Sequence, residues 1–163
     1  MKQTNRNLLS LLAIVTFFGM SMVPLAHARI CSQAGSAGRW AFTVTGSVIL
    51  PTGGVVPVMQ VGTFREDREG NIKGGQTRSL GGSVAKETLT GTATINPDCT
   101  GTATTAVYDD SGALVRTTSV DFVLDDDGNH ARSIVTAIVL PDGTRLAPLL
   151  TLDYRRVFSK GSN

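Results

Sequence analysis

His130 is the first residue to consider as a catalytic group. The chain has two histidines in 163 residues, and the other one, His27, lies near the N-terminus. A general base must lie inside a cleft, within reach of the proton that it removes. His130 follows an acidic turn, where we expect it to be solvated, and one histidine supports no Ser-His-Asp arrangement. The sequence therefore predicts no catalytic residue and favours a protein that is not an enzyme.

The acidic turn before His130, residues 125–129 (DDDGN), resembles the start of a calcium-binding loop. Such a loop also needs a bidentate Glu further along the chain. The next acid here is Asp142. We predict no metal site and no cofactor, and we interpret the acids as a polar turn whose charges discourage association between sheet edges.

Arg116 is the charged residue that most needs an explanation. It shares its strand parity with four apolar residues, which are Leu114, Val120, Phe122 and Leu124. If these residues line an interior, the guanidinium needs a carboxylate or a bound anionic group to offset its desolvation. The simpler interpretation is a bulge near Thr117 and Thr118 that resets the register and leaves Arg116 in water.

A candidate pocket can be assembled around Arg116. Glu87, Tyr108 and Tyr154 are the other polar side chains that could point inward. A small, partly polar molecule would suit such a pocket. The apolar residues expected around it are Trp40, Phe42, Val120 and Phe122.

Residues 1–28 are predicted to be a cleaved signal peptide. Lys2 and Arg6 precede an apolar run at 8–23, and Ala26-His27-Ala28 fits the small-x-small cleavage pattern. The uninterrupted apolar stretch is shorter than the roughly 20 residues that a membrane-spanning helix needs. We therefore expect a secreted or periplasmic protein without a stable membrane anchor.

Cleavage of this segment would change the charge balance. The chain has 15 basic and 13 acidic residues, and Lys2 and Arg6 lie in the predicted signal peptide, which leaves 13 of each. A net charge near zero and the lack of a basic run argue against nucleic acid or anionic lipid as a partner.

Cys31 and Cys99 are the two cysteines of the chain. Exported proteins meet an oxidising environment, so the two are expected to form a disulfide. On the chain-entropy model, a loop of this length contributes about 4 kcal/mol to stability.

The remainder of the sequence, residues 29–158, reads as one all-β domain, with a frayed tail at 159–163. Segments of about ten residues rich in Val, Ile, Thr and Phe alternate with turn signals, and none keeps a helical period. Eight strands are predicted. Six of them span 39–50, 55–65, 72–80, 85–95, 101–108 and 131–140. The sixth strand in chain order follows the turn at 109–112 and includes residues 119–125, and the last runs from the turn at 141–143 to 158, with a bend or bulge at Pro148.

Eight strands joined by short turns are enough for a sheet of this length to close on itself. An open sheet would leave two adhesive edges. The predicted fold is therefore a single up-and-down antiparallel barrel, with a two-sheet β-sandwich as the alternative.

The ends of the barrel carry a family resemblance. Gly38-Arg39-Trp40 opens the first predicted strand, and Arg155 and Arg156 close the last one. This pattern resembles that of the calycins, which include lipocalins, avidins and their small bacterial relatives. The resemblance implies that Trp40 plugs one end of the barrel and that Arg155 or Arg156 packs across its ring. Parity does not decide between the two arginines.

Three functions remain open at this stage. The first is a binding protein that holds a small apolar or amphipathic ligand in the barrel. The second is an enzyme of the allene oxide cyclase or dirigent type, and the third is a structural or surface-interaction domain with a filled interior. A cavity favours the first two, and Arg116 paired with Glu87 inside it favours an anionic ligand or an enzyme.

Overall fold

The computed structural model describes residues 31–158. The predicted signal peptide (1–28) and the predicted tail (159–163) lie outside these residues. A short helix, α1 (Gln33–Ser36), precedes the first strand, and a 3-10 turn (Asp126–Gly128) links the sixth and seventh strands. The strands are β1 (Gly38–Ile49), β2 (Val55–Glu66), β3 (Asn71–Leu80), β4 (Ser83–Ile95), β5 (Thr100–Tyr108), β6 (Leu114–Asp125), β7 (His130–Val139) and β8 (Arg145–Arg156).

The eight strands form one closed antiparallel barrel in sequence order. β8 pairs with β1, so that Trp40 lies opposite Arg156 and Phe42 lies opposite Tyr154. The predicted up-and-down barrel is therefore confirmed, and the sandwich alternative is wrong. Within residues 31–158, no helix is long and apolar enough to cross a membrane.

Five hairpins share one turn geometry, which explains why the strands follow each other so regularly. In each, the first residue donates its N–H to the fifth carbonyl, and the fourth donates back to the first carbonyl. This is the three-residue hairpin loop whose last residue has positive φ, usually a glycine. The five turns begin at Leu50, Asp67, Asn96, Asp109 and Leu140.

Cys99 occupies the positive-φ position of the β4–β5 turn, with φ +69°, where the other four turns have glycine. A side chain is needed there because Cys99 forms a disulfide with Cys31, 68 residues earlier. The bond fixes the segment before β1 to this turn. The predicted disulfide is confirmed.

The inner face of the barrel holds the core. Trp40, Phe42 and Val44 are buried and Thr43 and Thr45 are exposed, as the alternation in β1 predicts. The pairing of β7 with β8 shifts in the stretch that contains Pro148. Proline has no N–H for the ladder, so this agrees with the predicted bulge. The buried apolar residues of the main core include Val48, Val58, Leu89, Val107, Val120, Val135, Ile138 and Leu150.

One end of the barrel is closed by Trp40, α1 and Arg156. The indole Nε1 of Trp40 donates to the Ser36 carbonyl at 3.0 Å. The guanidinium of Arg156 lies 4.9 Å from the centre of the Trp40 ring and donates to the carbonyls of Ala37 (2.9 Å) and Gly35 (2.8 Å). Arg156, and not Arg155, is therefore the residue that covers Trp40. We call this the Trp40 end.

Replacing Arg156 with methionine should lower the free energy of unfolding by about 2 kcal/mol, because it removes charged hydrogen bonds and a cation–π contact. Arg155→Met is the matched control, since the Arg155 side chain is 62% exposed. We expect it to change stability by less than about 0.5 kcal/mol. Denaturant unfolding followed by Trp40 fluorescence measures both, and equal losses would contradict the assignment.

Reducing the Cys31–Cys99 bond should cost about 4 kcal/mol of stability, measured by denaturant unfolding with and without reductant. The variant C31A/C99A should show the same loss of stability, and reductant should not change its stability further. C31A/C99G should be about 1 kcal/mol more stable than C31A/C99A, because glycine adopts positive φ without a Cβ clash. An unfolding midpoint that reductant leaves unchanged would contradict the first expectation.

Candidate functional site

A cavity of about 100 Å³ lies inside the barrel. It extends from Ser36 and Trp40 at the Trp40 end to Arg116 and Gln76 further along the barrel. Its walls are mostly apolar because alternate residues of each strand face inward. Small side chains leave part of the space open, among them Ala93, Ala103 and Thr105.

Four aromatic rings form one side of the cavity. Phe64 stacks against Trp40 with 6.5 Å between ring centres, and it meets Tyr154 edge-on at 6.0 Å. Phe42 lies about as close to both Phe64 (6.0 Å) and Tyr154 (5.9 Å). Offset and edge-to-face pairs of this kind add stability beyond their buried area. They present a rigid apolar wall to the cavity.

Tyr154 brings one hydroxyl group to this wall. Ser133 Oγ lies 3.4 Å from the Tyr154 hydroxyl and donates to it. Burial raises the pKa of Tyr154 to about 12, although the contact with Ser133 acts in the opposite direction. The hydroxyl is therefore neutral at physiological pH.

At the other end of the cavity, Glu87 is surrounded by hydrogen-bond donors. Arg116 binds it in a bidentate manner, with Nη1–Oε1 at 2.8 Å and Nη2–Oε2 at 2.7 Å. Arg78 Nε donates to Oε1 and Gln76 Nε2 donates to Oε2, both at 2.7 Å. The Glu87 side chain is only 2% exposed. We call these four residues the Glu87 cluster.

The Glu87 cluster holds its carboxylate in the ionised form. Burial alone would raise the pKa of Glu87, but the hydrogen bonds and charge of Arg116, with those from Arg78 and Gln76, lower it to about 2. A carboxylate with such a low pKa is a weak base. Glu87 therefore positions and compensates the guanidinium groups and is a poor candidate for proton transfer.

Glu66 is the carboxyl group at the Trp40 end of the cavity. Its Oε1 accepts hydrogen bonds from Ser36 Oγ (2.6 Å) and Gln33 Nε2 (2.9 Å). Burial raises the pKa of Glu66, and the Ser36 hydrogen bond and the charge of Arg156 only partly offset that effect. The cavity thus has a carboxyl group near one end and a guanidinium at the other.

The structure brings together most of the residues that the sequence singled out. Six of them line the cavity: Trp40, Phe42, Arg116, Val120, Phe122 and Tyr154. Glu87 contacts Arg116 without being part of the lining. Tyr108 is not part of it either, because Val107 takes the inward position and the pairing of β5 with β6 shifts between these two residues.

The interpretation that a bulge leaves Arg116 in water is wrong. Its side chain is 13% exposed and carries the ion pair with Glu87. Bulges do occur on both sides of β6, opposite Val107/Tyr108 and at Ser119/Val120. Arg116 still faces inward because it pairs with the inward-facing Val107. The shift in pairing begins only at the next residue of β5, Tyr108.

The expectation that His130 is solvated is also wrong. His130 is 7% exposed and lies between two carboxylates. Its Nδ1 is 2.7 Å from Asp125 Oδ1, and its Nε2 is 2.6 Å from Asp153 Oδ2. Asp125 Oδ2 also binds Arg132 at 2.6 Å. This group ties β6, β7 and β8 together on the outside of the cavity.

Sequence reasoning missed Phe64, Glu66, Gln76 and Arg78. The predicted β1–β2 turn at 51–54 already places Phe64 opposite Trp40, and the Gly81-Gly82 turn places Gln76 opposite Glu87. The positions of the turns therefore suffice to predict that Phe64 and Gln76 face the interior. Arg78 and Glu66 carried no such signal, because charged residues on a strand usually mark its solvent face.

A second, wider depression of about 770 Å³ lies on the outer surface across β5–β8 and β1. Threonines make up much of it, including Thr43, Thr45 and Thr151, with Ile134 and Val123 between them. It brings together no buried charged donors, which makes the interior cavity the stronger site.

No protein-family model matches this chain, and a search of the curated proteins finds no match for it. Within residues 31–158, no three His, Cys, Asp or Glu side chains form a group that could hold a metal ion.

Glu87→Gln should lower the free energy of unfolding by about 3 kcal/mol at pH 7, because it leaves two buried guanidiniums without a carboxylate. The folded-state pKa of Glu87, about 2, lies below its ordinary value of 4.5. The stabilisation by the carboxylate is therefore present above pH 4.5 and is lost as the pH falls through about 2.

The stability difference between wild type and Glu87→Gln should consequently narrow between pH 4.5 and pH 2, as measured by chemical denaturation at each pH. Glu69→Gln is the matched control, since Glu69 is exposed in the β2–β3 turn. We expect it to stay within about 0.5 kcal/mol of wild type at pH 7. A Glu87→Gln variant as stable as wild type at pH 7 would contradict this assignment.

Proposed function

We propose that this protein is an exported, calycin-like binding protein that holds a small apolar or amphipathic molecule inside its barrel. The observation that supports this most is the cavity between the aromatic rings and Arg116. Its apolar wall suits a ring or a short chain. Arg116 and Gln76 of the Glu87 cluster line the end of the cavity away from Trp40, where they would contact a polar group of the ligand.

The size of the cavity limits the ligand. A single water needs only about 10–15 Å³, so a space of about 100 Å³ is more than a gap for one or two waters. Engineered apolar cavities of about 150 Å³ bind benzene. Pockets for drug-sized molecules measure about 300–1,000 Å³. The ligand is therefore a single ring or a short chain, or a larger molecule of which only one part enters.

Export is supported by two independent features. The disulfide between Cys31 and Cys99 is typical of oxidising compartments. The basic and apolar pattern of residues 1–28 is typical of a signal peptide. The position of Arg156 over Trp40 is consistent with the calycin pattern at the closed end of the barrel.

A barrel enzyme of the allene oxide cyclase or dirigent type is the second candidate, and Glu66 is the observation in its favour. A buried carboxyl group with a raised pKa at the end of an apolar cavity is a common arrangement for a general acid or base. Mass spectrometry of a bound molecule before and after incubation with wild type and Glu66→Gln distinguishes the two. A binding protein returns the molecule unchanged.

Native mass spectrometry of the protein purified from its own periplasm or medium should reveal a bound small molecule. The affinity can then be measured through Trp40, the single tryptophan of the chain, whose ring lines the cavity. We expect benzene or 1-hexanol to change the Trp40 emission in a saturable manner.

Ala103→Met should fill the cavity and weaken this binding about tenfold or more, since the added side chain takes the ligand's space. Thr102→Met is the matched control, because Thr102 is exposed on the outer face of the same strand. Thermal unfolding checks that both variants fold. Two outcomes would contradict the proposal: no saturable signal in wild type, or equal affinities in all three proteins.

A further inference from the structure

The Glu87 cluster carries more positive charge than its carboxylate compensates. Arg78 and Arg116 are both ion-paired to Glu87, with N–O distances of 2.7 Å. Their side chains are only 18% and 13% exposed. Two guanidiniums against one carboxylate leave one unit of positive charge in a largely water-excluded place, which is costly unless an anion offsets it.

The carboxylate has no capacity left for the remaining donors. A carboxylate offers about four acceptor sites. Glu87 already accepts two bonds from Arg116, one from Arg78 and one from Gln76. Arg78 Nη1 is buried and has no hydrogen-bond partner within residues 31–158. The cluster therefore has an unused buried donor as well as the extra charge.

The position of the cluster connects this charge to the cavity. Arg116 and Gln76 line the cavity, and Arg78 lies two residues further along β3, away from the Trp40 end. An anionic group placed at this end of the cavity meets the guanidinium of Arg116 directly and the charge of Arg78 behind it. Guanidinium groups suit carboxylates and other planar oxyanions because several N–H groups point the same way.

We infer that the ligand is an anionic amphiphile, with a carboxylate or similar oxyanion against Arg116, in front of the charge of Arg78, and its apolar part against the rings of Trp40 and Phe64. This inference rests on the proposed function, because it names the chemical class of the molecule in the same cavity. The Glu87 carboxylate holds the two guanidiniums in place, and the ligand supplies the second negative charge.

The test compares three probes in calorimetric titrations at pH 7. Hexanoate has a charged head and an apolar chain, 1-hexanol has the same chain with a neutral head, and acetate has the head without the chain. We expect hexanoate to bind at least tenfold more tightly than either of the other two. This comparison uses the unmodified protein and does not depend on any variant folding correctly.

Variants then locate the anionic head. Arg116→Gln leaves Glu87 paired with Arg78 and Gln76, so the cluster has no excess charge. We expect this variant to lose the preference for hexanoate over 1-hexanol that the wild type shows. Arg78→Gln should act in the same direction. Arg65→Gln is the matched control, because Arg65 is exposed on the outer face of β2.

The outcomes separate the two proposals. If hexanoate and 1-hexanol bind wild type equally, the anionic head is wrong and the binding function stands. If no probe binds, both are wrong. If acetate binds as tightly as hexanoate, the site holds a free anion and the amphiphile is wrong. A preference for hexanoate that survives both Arg116→Gln and Arg78→Gln would overturn the placement of the head.

Discussion

The pairing of β8 with β1 is the constraint on which the other features depend. Because the two strands meet in the register that sets Trp40 opposite Arg156, the ring of eight strands closes and leaves no free edge. A slip of one residue would turn the inward side chains of β8 outward. The same register brings Tyr154 beside Phe42 and places the Arg156 guanidinium over the indole ring. The closure of the barrel, the contact between Phe42 and Tyr154 and the packing of Arg156 on Trp40 therefore all depend on the same strand register.

Closure of the barrel also determines which charged side chains lose contact with water. Once the barrel is closed, an inward carboxylate loses its water and must find partners among other inward side chains. Glu87 finds four donors, and its pKa stays low for that reason. Buried ion pairs are often no more stabilising than well-packed apolar residues of similar size. Fold stability alone therefore does not explain why Arg78 and Arg116 lie in the interior. The proposed binding of an anion does explain it.

Much of the fold could be predicted from the sequence because turns and alternation carry the information. Strand ends lie within two residues of their predicted places, since each hairpin has a Gly, Pro, Asn or Asp signal of its own. The site was harder to predict because it reverses the usual rule for strands. Arg78 and Glu66 face inward although charged residues normally face water, and His130 is buried because Asp125 and Asp153 come from neighbouring strands. Such partners are visible only after the register is known.

The cavity itself follows from the distribution of small residues among the inward positions. Gly62 and Gly101 on the inner face do not create free space, because aromatic rings pack directly on them. A Cβ at Gly62 would lie 2.7 Å from the Phe42 ring, and one at Gly101 would lie 2.3 Å from the Phe122 ring. Ala93 and Ala103, in contrast, line the cavity. The absence of a side chain at Gly62 therefore makes room for the Phe42 ring, and the small side chains of Ala93 and Ala103 leave part of the interior open.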